Sequence, residues 1–252
     1  MNSSDLSGRI HSIETLGAAD GPGLRLIIFL QGCPLRCQYC HNPDTWQTAG
    51  GTLISVSDLV RRAKRFKPYF GNSGGVTISG GEPLLQADFT AALLYELKKA
   101  GLSTALDTSG CLPSGASDQN LSMILNNSNL IILDIKSPDP AKFQSLTSCP
   151  IQPLINFIGA CEKFKSLLRI RQVIVPEWND QPDDIYQLAG FLAKWADLNL
   201  EKIELLPYHT LGEVKYEKLD KVYPLSGLPA MDREKLKSLQ TLADKLISHQ
   251  GS

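Results

Sequence analysis

The chain has 252 residues, of which 42% are apolar, 20% charged and 7% aromatic, enough to bury the core of one large domain. Its 25 basic and 26 acidic side chains leave a net charge of -1, so no global field recruits nucleic acid or an anionic membrane. The longest apolar runs, 24–30 and 130–135, fall well short of the roughly 20 residues that span a bilayer.

Residues 1–8 are short and polar and leave no room for the apolar core of a secretion signal, so a cytoplasmic location is expected. Six runs rich in Val, Ile and Leu then read as strands, at 24–31, 75–79, 102–107, 130–136, 167–175 and 202–208. Longer segments of helical period separate them, the pattern of βα units around a parallel sheet. The first strand runs into Cys33, with Cys37 and Cys40 close behind, and the second into Gly80-Gly81-Glu82-Pro83. Residues 87–100 set Phe89, Leu93, Leu97 and Ala100 on one helical face and stop at Gly101, a favourable C-terminal cap. The third strand ends at Asp107 and Thr108, and the fourth at Asp134 and Lys136. The fifth carries Arg169 and Arg171, which a period of two directs to one face. Ile185, Leu188, Ala189, Leu192 and Ala196 form a stripe behind Asp183 and Asp184, whose charge suits a helix N-terminus. His209 follows the sixth strand, and Leu236, Leu239, Ala243 and Leu246 mark a last helix at about 231–249.

Reactive or unusual residues thus close every strand. In an α/β barrel the βα loops meet at the carboxyl ends of the strands and build the site there. Six strands rather than eight predict an α/β fold of one domain, 1–252, built as a partial open (β/α)6 TIM-like barrel over about 8–210. An open side would admit a large substrate.

Three thiolates at spacings of four and three, as in Cys33-Pro34-Leu35-Arg36-Cys37-Gln38-Tyr39-Cys40, can close on one small cluster. Iron–sulfur clusters are normally held by four cysteines, and here the fourth is missing locally. A cubane would therefore keep one iron with an open position, where substrate chemistry takes place as it does at catalytic zinc. A structural zinc site completed by His41, or buried cysteines with no ligand role, fits the same residues. Cys111, Cys149 and Cys161 are too scattered for a second cluster. Gly80 and Gly81 would let backbone approach a ligand closely, although such a turn is commonly only a turn. Asp107 and Asp134 end apolar strands, and burying an unpaired charge costs several kcal/mol. A cap on the next turn, or Lys136 as partner for Asp134, answers that need as well as a site does.

The Cys33-x-x-x-Cys37-x-Tyr39-Cys40 loop resembles the signature of radical S-adenosylmethionine (SAM) enzymes. The resemblance sharpens to the activating enzymes of glycyl radical enzymes through Gly8-Arg9-Ile10-His11-Ser12, Asp20-Gly21-Pro22-Gly23-Leu24-Arg25 and Phe29-Leu30-Gln31-Gly32-Cys33. Tyr39-Cys40-His41-Asn42, Asp44-Thr45-Trp46 and the 202–209 strand extend it, so that it covers the chain from Gly8 to about Gly227. It implies a 4Fe-4S cluster on Cys33, Cys37 and Cys40, chelated at its fourth iron by SAM. Reductive cleavage of SAM then gives a 5′-deoxyadenosyl radical, which takes hydrogen from a glycine of a partner protein. The resemblance further implies Tyr39, Cys40, His41, Gly80, Gly81, Asp134, Ile135, Lys136, Arg171 and His209 as cofactor-binding positions. Gly81 would meet the methionyl amino group and Lys136 the carboxylate of SAM, while Asp107, Thr108 and Asp134 match ligands of a monovalent cation. No side chain need act as a general acid or base.

The implied partners are a glycyl radical enzyme as protein substrate and flavodoxin or ferredoxin as electron donor, met by a monomer. The 20–25 segment and the loop after Cys40 are the expected partner surfaces. Residues 42–79 contain no cysteine, so the ferredoxin-like insert of several related activases is missing. Glu177 stands where the Val-Pro-Gly-Trp run of this group has glycine. Alternatives are another glycyl radical target such as anaerobic ribonucleotide reductase, a small-molecule substrate, and a non-catalytic zinc or electron-carrying module.

Overall fold

The computed structural model describes residues 5–112 and 117–248. Six strands run parallel and neighbour one another in chain order: β2 (Arg25–Leu30), β4 (Gly75–Gly80), β5 (Thr104–Thr108), β6 (Leu130–Asp134), β7 (Leu168–Ile174) and β8 (Leu200–Pro207). These are the six predicted runs. The crossovers carry α1 (Val56–Phe66), α2 (Ala87–Lys99), α3 (Asp118–Asn127), the pair α4 (Pro140–Thr147) and α5 (Gln152–Lys163), and α6 (Pro182–Leu192).

Two further strands were not expected. β1 (Ser7–Gly17) pairs antiparallel with β2 and with β3 (Thr52–Ser55), giving an eight-stranded sheet of order β3-β1-β2-β4-β5-β6-β7-β8. β1 buries only Gly8 and Ile10, and β3 buries nothing fully, so neither produces an apolar run. The sheet is not closed. At its β8 edge, beyond the short helix α7 (Glu213–Lys218), lies α8 (Arg233–Ser248), where Gln240 accepts from the Leu205 N–H and donates to the Ile203 carbonyl, both at 2.8 Å. One amide side chain therefore occupies backbone groups that an open edge would offer to another chain. The helix begins two residues later than expected, and position 249 lies outside the described residues.

α6 stops at Leu192, so Ala196 is exposed beyond it rather than part of its stripe. Lys194 and Trp195 donate to the carbonyls of Phe191 and Leu192, three residues back, which tightens and ends the last turn.

The period of two sorts each strand. Leu26, Ile28, Leu30, Ile131, Leu133, Ile170 and Ile174 join the main core beneath the helices, while Ala105, Leu130 and Ile132 form a small separate cluster on the other face. Ile27, Phe29 and Val173 share that inner face with polar and charged residues. Arg25, expected at a partner-facing surface, is fully buried there and donates to Thr77 Oγ1 at 2.6 Å, the Val76 carbonyl at 2.8 Å and the Pro22 carbonyl at 3.2 Å. Burial, helped by Arg169, lowers its pKa to about 10, which still leaves it charged near neutrality. Thr77 Oγ1 donates in turn to the Asp20 carbonyl at 2.6 Å, so the segment before β2 is held against the inner face.

Candidate functional site

The cysteine loop is fixed from three directions. Gly81 and Glu82 donate backbone N–H groups to the carbonyls of Leu30 and Gly32 at 2.9 and 2.8 Å, joining the ends of β2 and β4. Gly32 and Cys33 donate to the carbonyls of Thr45 and Trp46 at 2.7 and 3.3 Å. Arg36 and Gln38 donate to the carbonyls of Thr147 and Leu146 at 2.8 and 3.0 Å, so the loop satisfies the C-terminal turn of α4. The thiol of Cys149 adds a contact at 3.4 Å to the Pro34 carbonyl.

This packing explains the two glycines. Gly80 has φ +121°, and a Cβ on it would stand 2.2 Å from the Leu30 nitrogen; one on Gly81 would stand 2.2 Å from the Gly32 oxygen. The close approach they allow is first of all to the neighbouring strand end. Glu82, noted at the end of its strand but given no role from sequence, is fully buried and accepts from Leu84 N and Thr108 Oγ1 on one oxygen and from Ser109 N and Oγ on the other. It clamps the ends of β4 and β5 together.

A cavity of about 280 Å³ opens at these strand ends. Cys33, Cys37, Cys40, Tyr39 and His41 line it from the loop; Gly80, Gly81, Asp107, Thr108, Asp134, Lys136 and Arg171 line it from the sheet. Asp20, Asn42, Trp46, Ser79 and Ser109 belong to the lining too, although sequence reasoning had not singled them out as site residues. Ile135 and His209 are not among these lining residues. Ile135 is fully buried in the main core, and His209 lies behind His41, their rings stacked at 4.0 Å, with His41 Nε2 3.1 Å from the His209 carbonyl. Burial and the neighbouring His209 lower the His41 pKa, favouring the neutral ring.

The charges inside are arranged in opposition. Lys136 pairs with Asp134 Oδ2 and sits 5.6 Å from the Tyr39 ring centre. Burial disfavours its charge, but Asp134 and Tyr39 outweigh burial and raise its pKa. Arg171 pairs with Glu204 at 2.7 Å and Asp20 at 3.6 Å, and also donates to the Ala19 carbonyl. Asp107 accepts from Ser79 Oγ at 2.8 Å; burial pushes it up to about 6 against the opposing pull of Arg171. Thr108 gives its hydroxyl hydrogen to Glu82 and accepts from Gly110 N at 3.0 Å.

The residues fit a thiolate-bound cluster with a polar cofactor beside it. Burial raises all three thiols, Cys37 to about 12, so none has the lowered pKa of a reactive cysteine, and a bound metal would have to displace the proton from each. Against burial, the Leu35 N–H near Cys33, and the Asn42 N–H with the Trp46 indole near Cys40, pull these thiols back down. Asp134 Oδ1 and the Tyr39 hydroxyl are buried without a hydrogen-bond partner. Such groups call for a ligand, because an unmet buried polar atom costs roughly 1–3 kcal/mol.

The family model of the Radical SAM superfamily matches residues 27–189. The chain is 45% identical over 241 residues to the pyruvate formate-lyase-activating enzyme of Clostridium pasteurianum, covering 95% of this chain and 98% of that one. It is 44% identical over 237 residues to the protein of the same name from Staphylococcus aureus strain USA300, covering 92% and 94%. Among solved structures, Streptococcus suis SuiB bound to the precursor peptide SuiA matches with a TM-score of 0.67 over 91% of this chain and 47% of that one; at 18% identity the likeness is one of fold. The chain belongs to the radical SAM superfamily, whose partial TIM-like barrel it shares. Within that superfamily it belongs to the family of pyruvate formate-lyase-activating enzymes.

Proposed function

We propose that the chain activates pyruvate formate-lyase, also called formate acetyltransferase, by removing one hydrogen atom from a glycine of that protein and leaving a glycyl radical. The observation that carries this reading is the cavity in which Cys33, Cys37 and Cys40 share one lining with Lys136 and the unpartnered Asp134 Oδ1. Bound there together, a 4Fe-4S cluster and SAM supply, after one-electron reduction, a 5′-deoxyadenosyl radical that takes the hydrogen atom.

The three cysteines hold the cluster. Lys136, kept charged by Asp134, meets the SAM carboxylate, and the backbone at Gly80 and Gly81 meets the methionyl amino group. Tyr39 and His41 wall the cofactor, with His209 stacked behind to keep the His41 ring in place. Ile135 supports the turn between Asp134 and Lys136 from the core side. Arg171 orients Asp20 and Glu204 at the inner face beside the cofactor. Asp107 and Asp134 supply the charge for a monovalent cation, to which Thr108 can add only an oxygen lone pair, its hydrogen being engaged by Glu82. No side chain transfers a proton. The partner's glycine loop enters through the unclosed side of the barrel, and near-contact placement does the rest.

Flavodoxin or ferredoxin is the electron donor in this reading, and a cytoplasmic monomer leaves the opening free for the partner. The test is anaerobic reconstitution with iron and sulfide, followed by reduction with SAM and assay of 5′-deoxyadenosine. Product from the native sequence, none from Cys37→Ala, and a raised KM for SAM in Lys136→Met are the expected results. A full cluster complement that never cleaves SAM would overturn the reading.

A further inference from the structure

Trp46 makes contacts that its place in the sequence does not announce. Its carbonyl accepts the Cys33 N–H at 3.3 Å, and its indole N–H lies toward the Cys40 sulfur, where it opposes the burial that raises that thiol. The ring is held on two sides: the Arg36 guanidinium carbon lies 5.2 Å from its centre, and Tyr216 meets it edge-on at 5.9 Å. Arg36 is itself tied down, donating from Nη1 to the carbonyls of Cys33 at 2.7 Å and Leu35 at 2.8 Å. A cation and an indole are thus fixed together against the cysteine loop, in a side chain that lines the cavity. The geometry points to Trp46 as a positioning residue that, polarised by Arg36, hydrogen-bonds the Cys40 sulfur and raises the reduction potential of the cluster held by Cys33, Cys37 and Cys40.

The physical reason is charge. Reduction adds an electron to the cluster and its sulfurs, and an N–H aimed at a sulfur stabilises the more negative state. A guanidinium over the π face withdraws electron density from the indole, making its N–H a stronger donor, and its own charge acts in the same direction. A side chain clamped by Arg36 and Tyr216 keeps this geometry at little cost in reorganisation. The inference rests on the proposed cluster, and its test separates the two.

Trp46→Phe keeps the aromatic packing and removes the N–H. In an anaerobic redox titration followed by electron paramagnetic resonance, the ratio of reduced to oxidised cluster at a fixed potential should fall about tenfold, or 59 mV for a one-electron couple. Arg36→Gln should move it the same way by less, and Arg36→Lys least. A midpoint unchanged in Trp46→Phe at equal cluster content overturns the assignment. A second measurement needs no variant to fold: with indole-15N label in its 3 tryptophans, the reduced holoenzyme should show an electron–nuclear coupling to one nitrogen. Absence of any such coupling also overturns it, whereas failure of the native sequence to bind a cluster would sink the functional reading on which it depends.

Discussion

Replacing Glu177 by glycine should stabilise the protein. Glu177 has φ +68°, in the left-handed region that favours glycine, and its side chain is exposed. The turn does not owe this shape to the glutamate. Trp178 and Asn179 both donate to the Val175 carbonyl, at 3.2 and 3.3 Å, and Asn179 Oδ1 accepts from Val175 N at 2.7 Å. The neighbours therefore impose the conformation, and the left-handed region costs an L-residue with a Cβ about 1–2 kcal/mol. Glycine removes that strain but loses roughly 0.5–1 kcal/mol more backbone freedom on folding, leaving a net gain of about 0.5–1 kcal/mol. With an unfolding entropy near 2.1 cal/mol/K per residue, 252 residues convert this gain to a rise in Tm of about 1–2 °C. Scanning calorimetry at matched cluster content reads it directly, and Glu177→Asn should recover about half. A glycine variant no more stable than the parent would show that the turn carries no strain at this position.

Three other perturbations have definite signs. In the fold, burial raises the Asp107 carboxyl to about 6, above its unfolded value near 3.9, so its contribution is full below about pH 4 and is lost as pH rises through 6. Asp107→Asn should therefore gain most over the native sequence above about pH 6 in thermal denaturation, and a difference independent of pH would contradict this. Arg25→Met removes the donors that meet Thr77, Val76 and Pro22 and should lower urea stability by about 3 kcal/mol, with a loss under about 1 kcal/mol counting against a buried anchor. Gly81→Ala forces a Cβ to within 2.2 Å of the Gly32 oxygen, which should cost about 1–3 kcal/mol and reduce the iron retained after reconstitution. Normal iron retention would mean that the cysteine loop yields without consequence.

Five of the six parallel strands were legible because burial on both faces makes them bounded apolar runs, and β8 because Ile203, Leu205 and their neighbours keep one apolar stretch although only one face is buried. β1 and β3 were not, since an exposed antiparallel edge leaves polar and glycine residues in place of that run. The reactive strand ends were legible for the same reason, as polar residues interrupting apolar ones. What stayed hidden depends on contacts distant in sequence. Glu82 looks like a turn residue until Thr108 and Ser109 of the next strand close on it. Arg25 looks like a surface charge, although its period-two phase with Ile27 and Phe29 was the available sign that it faces inward. His209 was assigned to the cofactor through the family resemblance alone, and its stacking on His41 joins residues far apart in the chain. Glu177 was noticed as a departure from glycine, and its positive φ is the backbone geometry that glycine would serve.

The most direct measurement is electron paramagnetic resonance of pyruvate formate-lyase after anaerobic incubation with the reconstituted, reduced chain and SAM. A glycyl doublet on the partner, growing in step with an equal amount of 5′-deoxyadenosine and missing with Cys33→Ala, is the expected result. Cleavage of SAM at full rate with no doublet on the partner would contradict activation of pyruvate formate-lyase as the function of this site.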